Sequence, residues 1–200
     1  MELLNAIQEK SSTADQHEEV KKQLEKIAED FAELKKKQDL RYLLDRVCSP
    51  AKTKLLTDPS FKKRFEEAKT CNAFVLAIDI RRSTDLMLRG KTPRQYADFL
   101  NTACGRLVDE IKNQFGIVDK FTGDGQLAYF PDFFAGEDAG YRALTAAQDC
   151  HSTFAKTYRG ARDSFTVALK DVGLGIGIDF GEVHLLRITD ELTVVGAPVV

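Results

Sequence analysis

Apolar residues recur along this chain in two rhythms, and the change between them divides it. Residues 1 to about 48 contain no Gly or Pro and are rich in Glu, Lys, Gln, Ala and Leu. Within them Val20, Leu24, Ile27, Phe31 and Leu34 recur at spacings of 4, 3, 4 and 3. That is an a/d seam with charged flanks, and it predicts a helix that pairs with another helix or packs on its own domain. Ser49-Pro50 ends the helix, and residues 51–70 read as one or two short helices around Asp58-Pro59. The compact domain is expected to begin near Cys71.

From there the rhythm alternates between strand and helix. Ala73–Ile80 reads as a buried strand. Thr92–Phe115 reads as a helix, with Thr92-Pro93 as its N-terminal signal and Tyr96, Phe99, Leu100, Ala103, Leu107 and Ile111 on one face. Gly116–Phe121 and Gln126–Phe130 read as strands joined by Thr122-Gly-Asp-Gly125, with Asp-Gly turn chemistry. Asp138–Arg159 is a second long helix, and Leu174–Phe180, Glu182–Ile188 and Leu192–Val195 are further strands. The order β-α-β-β-α-β predicts an α+β, ferredoxin-like domain with helices on one face of its sheet, preceded by the N-terminal helix.

Composition narrows the function. The chain has 200 residues, 43% of them apolar, and a net charge of -2 that hides 29 bases and 31 acids. Interspersed charge of this kind gives no global basic character, so a nucleic-acid partner is not indicated. Four cysteines, Cys48, Cys71, Cys104 and Cys150, lie far apart, which fits a reducing cytosol better than a disulfide framework or zinc site. With no long apolar run and no signal-peptide pattern, the expected location is cytoplasmic. His17, His151 and His184 are isolated, and neither a Gly-x-Ser-x-Gly elbow nor a Gly-x-x-x-x-Gly-Lys loop occurs. The glycines of Gly173-Leu-Gly-Ile-Gly177 fall within a strand and mark close backbone approach or bulges.

Two carboxylates stand out. Asp79 ends an apolar run and is followed by Ile-Arg-Arg-Ser-Thr84; Asp124 sits at a hairpin between two apolar runs. Singly, Asp79 could cap a helix and Asp124 could be a turn residue. Together, at neighbouring strand ends, they make an oxygen-ligand site for divalent cations, which a nucleoside triphosphate requires. Lys120 is either a solvated strand residue or a ligand contact, and one of Arg81 and Arg82 suits a triphosphate.

The stretches Asp79-Ile-Arg-Arg-Ser-Thr84, Val118-Asp-Lys-Phe-Thr-Gly-Asp-Gly125, Gly175-Ile-Gly-Ile-Asp-Phe-Gly181 and Val194-Val-Gly-Ala-Pro-Val199 together resemble the class III nucleotidyl cyclase catalytic domain. Within that family the Arg-Arg-Ser-Thr turn and the Val-Gly-Ala-Pro-Val-Val ending are most similar to bacterial antiphage pyrimidine cyclases of the Pycsar system. With the seam marking 1–70 as a helical, dimerising region, the resemblance implies a catalytic domain over 71–200. Asp79 and Asp124, with the Ile80 carbonyl, would bind two divalent cations, Mg2+ or Mn2+. The backbone of Arg81, Arg82, Ser83 and Thr84 would hold phosphates, and Lys120 and Thr193 would contact the base across a homodimer interface. The implied reaction turns UTP or CTP into a 3′,5′-cyclic nucleotide and pyrophosphate for a separate effector in antiviral defence. Lys120 also fits an adenylate cyclase. Val200 stands where the family places an Asn, and its transition-state Arg would lie further on, so the domain is expected to lack its C-terminal part. That departure leaves a non-catalytic nucleotide-binding pseudo-cyclase as another reading. A diguanylate-cyclase-type palm lacks its Gly-Gly-Asp/Glu-Glu-Phe turn here.

Overall fold

A computed structural model describes residues 2–67, 70–188 and 191–199. The chain forms two compact units, residues 1–43 and 44–200. The first lies within one long helix, α1 (Glu2–Arg46). Its seam residues Val20, Leu24, Ile27, Phe31 and Leu34 are all exposed.

The second unit takes in the end of α1 and two short helices, α2 (Ser49–Thr57) and α3 (Pro59–Glu67). It continues through β1 (Thr70–Arg81), α4 (Ser83–Arg89), α5 (Pro93–Asn113), β2 (Ile117–Thr122) and β3 (Gly125–Pro131). The chain then forms α6 (Asp132–Ala135), α7 (Ala139–Gly160), β4 (Gly173–Ile188) and β5 (Glu191–Val195). The five strands pair antiparallel wherever they are neighbours, in the order β2-β3-β1-β4-β5. The first four follow the predicted β-α-β-β-α-β order, and β5 adds an edge.

Alternation along β1 separates two faces. Leu76, Ile78 and Ile80 are buried, while Ala77, Asp79 and Arg81 are exposed. The buried set meets Phe99, Ala103, Leu107 and Ile111 of α5 and Ala143, Ala146, Cys150 and Phe154 of α7. These helical residues recur every three or four positions, so each helix turns one stripe to the sheet. Thr92 caps α5 as its sequence suggests: its side chain accepts from the Gln95 amide at 3.1 Å, and Pro93 fills the first turn.

The structure departs from the sequence reading in four places. The expected strands 174–180 and 182–188 are one continuous strand, β4, because its backbone pairs without interruption along the whole of β1, Gly181 opposite Ala73 included. Residues 83–89, to which the pattern assigns no element, form the short helix α4 after the Arg81-Arg82 turn. The hairpin turns on Gly123 and Asp124, with Gly123 at φ 74, one residue earlier than Asp-Gly chemistry suggests. Gly125 opens β3, and that position must be glycine because a Cβ there would stand 2.5 Å from the Ile78 carbonyl oxygen. Finally, the register of β2 slips between Val118 and Lys120, so Asp119 is the extra residue of a β-bulge.

Candidate functional site

The open face of the sheet carries a cleft of about 560 Å3, lined by Asp79, Arg81, Lys120, Gly175 and Gly177 among others. Its floor follows from register. Arg81, Asp79 and Ala77 of β1 lie opposite Gly173, Gly175 and Gly177 of β4. A glycine thus stands beside each of these three positions, and the cleft floor there is largely backbone. The Arg81 guanidinium lies across Gly175: a Cβ added there would fall 2.7 Å from Arg81 Cζ.

The two arginines after Asp79 part company. Arg82 adopts a left-handed backbone (φ 63) at the head of α4. Its Nε donates to Asp85 Oδ2 at 2.9 Å, and Nη1 donates to the Lys170 carbonyl at 2.9 Å. That guanidinium is committed to local structure, whereas Arg81 faces the cleft. Ser83 and Thr84 open α4.

Asp124 lies in the hairpin beside the end of β1, since Ile78 pairs with Gln126 and the ladder leads next to Asp79 and Gly125. Asp124 is half-buried, and its Oδ2 is buried without a hydrogen-bond partner among the described residues. An orphaned buried carboxylate oxygen is costly and needs a cation or donor. Burial first, and the Asp124 charge second, raise the Tyr96 hydroxyl above its ordinary range. The residues fit hard divalent cations: two carboxylates and backbone carbonyls leave ligand positions for phosphate oxygens and water, as magnesium prefers. Among the described residues no cluster of three or more His, Cys, Asp or Glu could hold a metal without such help.

Lys120 and Thr193, far apart in sequence, meet. Lys120 Nζ donates to Thr193 Oγ1 at 3.2 Å. The contact exists because the coiled sheet brings its edge strands β2 and β5 together. Behind it lies a residue the sequence reading passed over. Asp119 is 2% exposed; its Oδ2 accepts from Thr193 Oγ1 at 2.7 Å, and its Oδ1 accepts from the Val194 amide at 3.1 Å. Arg46 Nε donates to the Asp119 carbonyl at 3.1 Å. Burial raises the Asp119 carboxyl above its ordinary pKa, opposed by the Thr193 hydroxyl, the Lys120 charge, the Val194 amide and Arg46. A carboxylate directly after the buried pair Ile117-Val118 was the available signal. Gln126 was also overlooked: it is buried, and its Nε2 donates to the Cys104 carbonyl at 2.9 Å.

Position 200 lies outside the described residues, so the departure assigned to Val200 has no structural counterpart here.

This is the fold of the class III adenylyl and guanylyl cyclase catalytic domain. The guanylyl cyclase Cya2 matches with a TM-score of 0.57 and 27% identity, over 65% of this chain and 66% of that one. The adenylyl cyclase CyaB from P. aeruginosa matches with a TM-score of 0.58 and 20% identity, over 65% and 68%. The guanylate cyclase domain of RhGC from Catenaria anguillulae, in complex with GTP, matches with a TM-score of 0.51 and 20% identity, over 66% and 70%. This chain therefore spans about two thirds of the Cya2 chain it matches. No protein-family model and no curated protein sequence matches it.

Proposed function

We propose that this protein is a homodimeric nucleotidyl cyclase that converts a nucleoside triphosphate to its 3′,5′-cyclic nucleotide and pyrophosphate. The observation that carries the reading is the alternation of Asp79 and Arg81 over a glycine floor, in one cleft with Lys120. It supports reading Asp79 as a cation ligand and Arg81 as a phosphate ligand, with Lys120 acting on the base across the interface between copies.

In the reaction the ribose 3′-oxygen bonds to the α-phosphorus as the bond to the pyrophosphate oxygen breaks, and the 3′-hydroxyl proton leaves to solvent water. Two divalent cations, Mg2+ or Mn2+, would be held by Asp79, Asp124 and the Ile80 carbonyl; when bound they supply Lewis acidity to the 3′-hydroxyl and the triphosphate. Arg81 orients the triphosphate and offsets its charge, with the backbone of Arg82, Ser83 and Thr84 as further donors. Lys120 and Thr193 contact the base across the interface from Asp79 and Asp124. A second copy of the chain completes each site, and the exposed α1 seam is the surface through which the copies pair. No helix among the described residues is long and apolar enough to cross a membrane, and we place the protein in the cytoplasm.

For the substrate we infer a pyrimidine nucleotide, UTP or CTP, from the likeness of Arg81–Thr84 and the 194–200 segment to antiphage pyrimidine cyclases. Its product would be a second messenger for a separate effector in antiviral defence. One observation favours ATP instead. The Lys120–Thr193 contact joins an ammonium donor to a hydroxyl, and that pair also suits the ring nitrogen and amino group of adenine.

The test is incubation with manganese and each of ATP, GTP, CTP and UTP, with products identified by mass. Cyclic UMP or CMP alone supports the pyrimidine reading, and cyclic AMP alone replaces it with the adenylyl one. Nucleotide binding without any cyclic product would mark a pseudo-cyclase.

A further inference from the structure

We infer that Asp119 is a specificity-setting positioning residue: it fixes the hydrogen-bond polarity of Thr193, so that Thr193 meets the nucleobase only as an acceptor. The inference rests on the reading of Lys120 and Thr193 as the base-contacting pair, and it assigns a role to a residue that touches no substrate.

The argument begins with donors and acceptors. A hydroxyl has one proton to give and two lone pairs to offer. An ionised carboxylate has only acceptors. With Asp119 Oδ2 at 2.7 Å from Thr193 Oγ1, the hydroxyl proton is spent on Asp119. What Thr193 turns elsewhere is lone pairs, and Lys120 Nζ takes one at 3.2 Å. Lys120 is itself held in place, with Nζ 3.8 Å from Asp119 Oδ2. Once its proton to Thr193 is counted, the ammonium keeps two more. The wall therefore presents a fixed donor beside a fixed acceptor. A base that meets Thr193 must bring an N–H, and a carbonyl or bare ring nitrogen placed there would find no proton.

Asp119 also has a plain structural duty. Its other oxygen takes the Val194 amide at 3.1 Å, tying edge strand β5 to edge strand β2. The bulge at Asp119 aims the side chain across that gap. The two duties separate in the isosteric variant Asp119→Asn. The Asn carbonyl keeps the Val194 amide, so its amino group faces Thr193 and donates to Oγ1. The strand tie survives, but the Thr193 proton is released from the carboxylate, and the acceptor becomes a donor.

The experiment measures manganese-dependent binding of ATP, GTP, CTP and UTP by calorimetry, and cyclisation of each, for the wild type, Asp119→Asn, Thr193→Ser and Thr193→Val. The wild type should rank the four bases. Asp119→Asn should narrow that ranking by about tenfold, the worth of one hydrogen bond, through KM and binding rather than kcat. It should leave the affinity for inorganic triphosphate unchanged. Thr193→Ser, which keeps the hydroxyl, should keep the ranking, and Thr193→Val should narrow it. The inference is overturned if the folded Asp119→Asn protein keeps the wild-type ranking, or if the wild type has none. Should Asp119→Asn fail to fold, an unchanged ranking in Thr193→Val overturns it equally. Loss of the cyclase reading would show separately, as no cyclic product from the wild type, while the binding ranks still decide the role of Asp119.

Discussion

The guanidinium of Arg81 rests on Gly175, in the space where any other residue would place its Cβ. The two residues belong to neighbouring strands and fall two positions apart in the register, since Arg81 pairs with Gly173 and Asp79 with Gly175. Arg81 thus reaches past its own partner Gly173 to lie over Gly175, the partner of Asp79. This explains the central glycine of the Gly173-Leu-Gly-Ile-Gly177 run: a side chain at 175 would evict the arginine.

Gly175→Ala should therefore displace Arg81 without unfolding the domain. Gly175 has no left-handed backbone, and the atoms an added Cβ meets are the far end of a flexible side chain. We expect Arg81→Ala to weaken triphosphate binding roughly tenfold to a hundredfold, the range for hydrogen bonds to a charged group. Gly175→Ala should do the same to a smaller extent, at nearly unchanged melting temperature. Arg82→Ala should leave binding almost intact, because Arg82 is bound to Asp85 and the Lys170 carbonyl. Calorimetry with a nucleoside triphosphate and manganese decides between them, and a larger loss from Arg82→Ala than from Arg81→Ala would reverse the assignment.

Asp124 carries a buried carboxylate oxygen with no hydrogen-bond partner among the described residues. Without metal, Asp124→Ala should be neutral or stabilising, since it removes an unsatisfied polar atom. With metal, Asp79→Ala and Asp124→Ala should each lower turnover at least ~100-fold and weaken manganese binding. Melting curves with and without manganese check both halves. Full manganese-induced stabilisation in either variant would sink the cation site.

Asp119 should make stability depend on pH in the direction opposite to an ordinary paired carboxylate. Its folded pKa is raised above the 3.8 of a free side chain, chiefly by burial. A raised folded pKa means that the folded state binds the proton more tightly. The resulting stabilisation is complete below 3.8 and is lost as pH rises through the folded value. Relative to Asp119→Asn, the wild type should lose stability as pH climbs from about 4 toward neutrality. Urea unfolding of both proteins across that range measures it, and a difference that moves the other way contradicts the assignment.

Five apolar residues of α1 lie on the helix surface, Ile27 at 63% and Phe31 at 68% exposure. If they form a seam between two copies, Ile27→Asp should raise the dimer dissociation constant by roughly tenfold or more, as for a residue central to an interface. Analytical ultracentrifugation reads the shift. An unchanged sedimentation profile would place pairing elsewhere.

Two thiols, Cys150 and Cys71, are placed to be inert. Burial, then the charges of Glu110 and Asp149, push Cys150 up to about 12, and burial, then Asp132, pushes Cys71 up to about 11. Alkylation at neutral pH, followed by mass spectrometry, should find both unmodified long after a free thiol has reacted. Rapid labelling of Cys150 in the folded protein would contradict the burial described here.

The sequence by itself determined the element order, because burial imposes a period of two on a strand and of three to four on a helix. Tyr96, Phe99, Ala103, Leu107 and Ile111 announce α5, and the apolar run before Asp79 announces β1. It also marked both carboxylates, since an Asp at the end of a buried run is out of place unless something binds it. The tertiary structure alone decided what those residues meet. Register settled that Arg81 rather than Arg82 faces the cleft, and that the glycines of β4 form its floor. Sheet coiling brought Thr193 to Lys120 across 73 residues of chain. The bulge at Asp119 broke the alternation that would have left that residue exposed beside buried Val118. Such facts escape the linear pattern for one reason: they rest on hydrogen bonds between strands distant in sequence, and local periodicity carries no information about which strand edges close on each other.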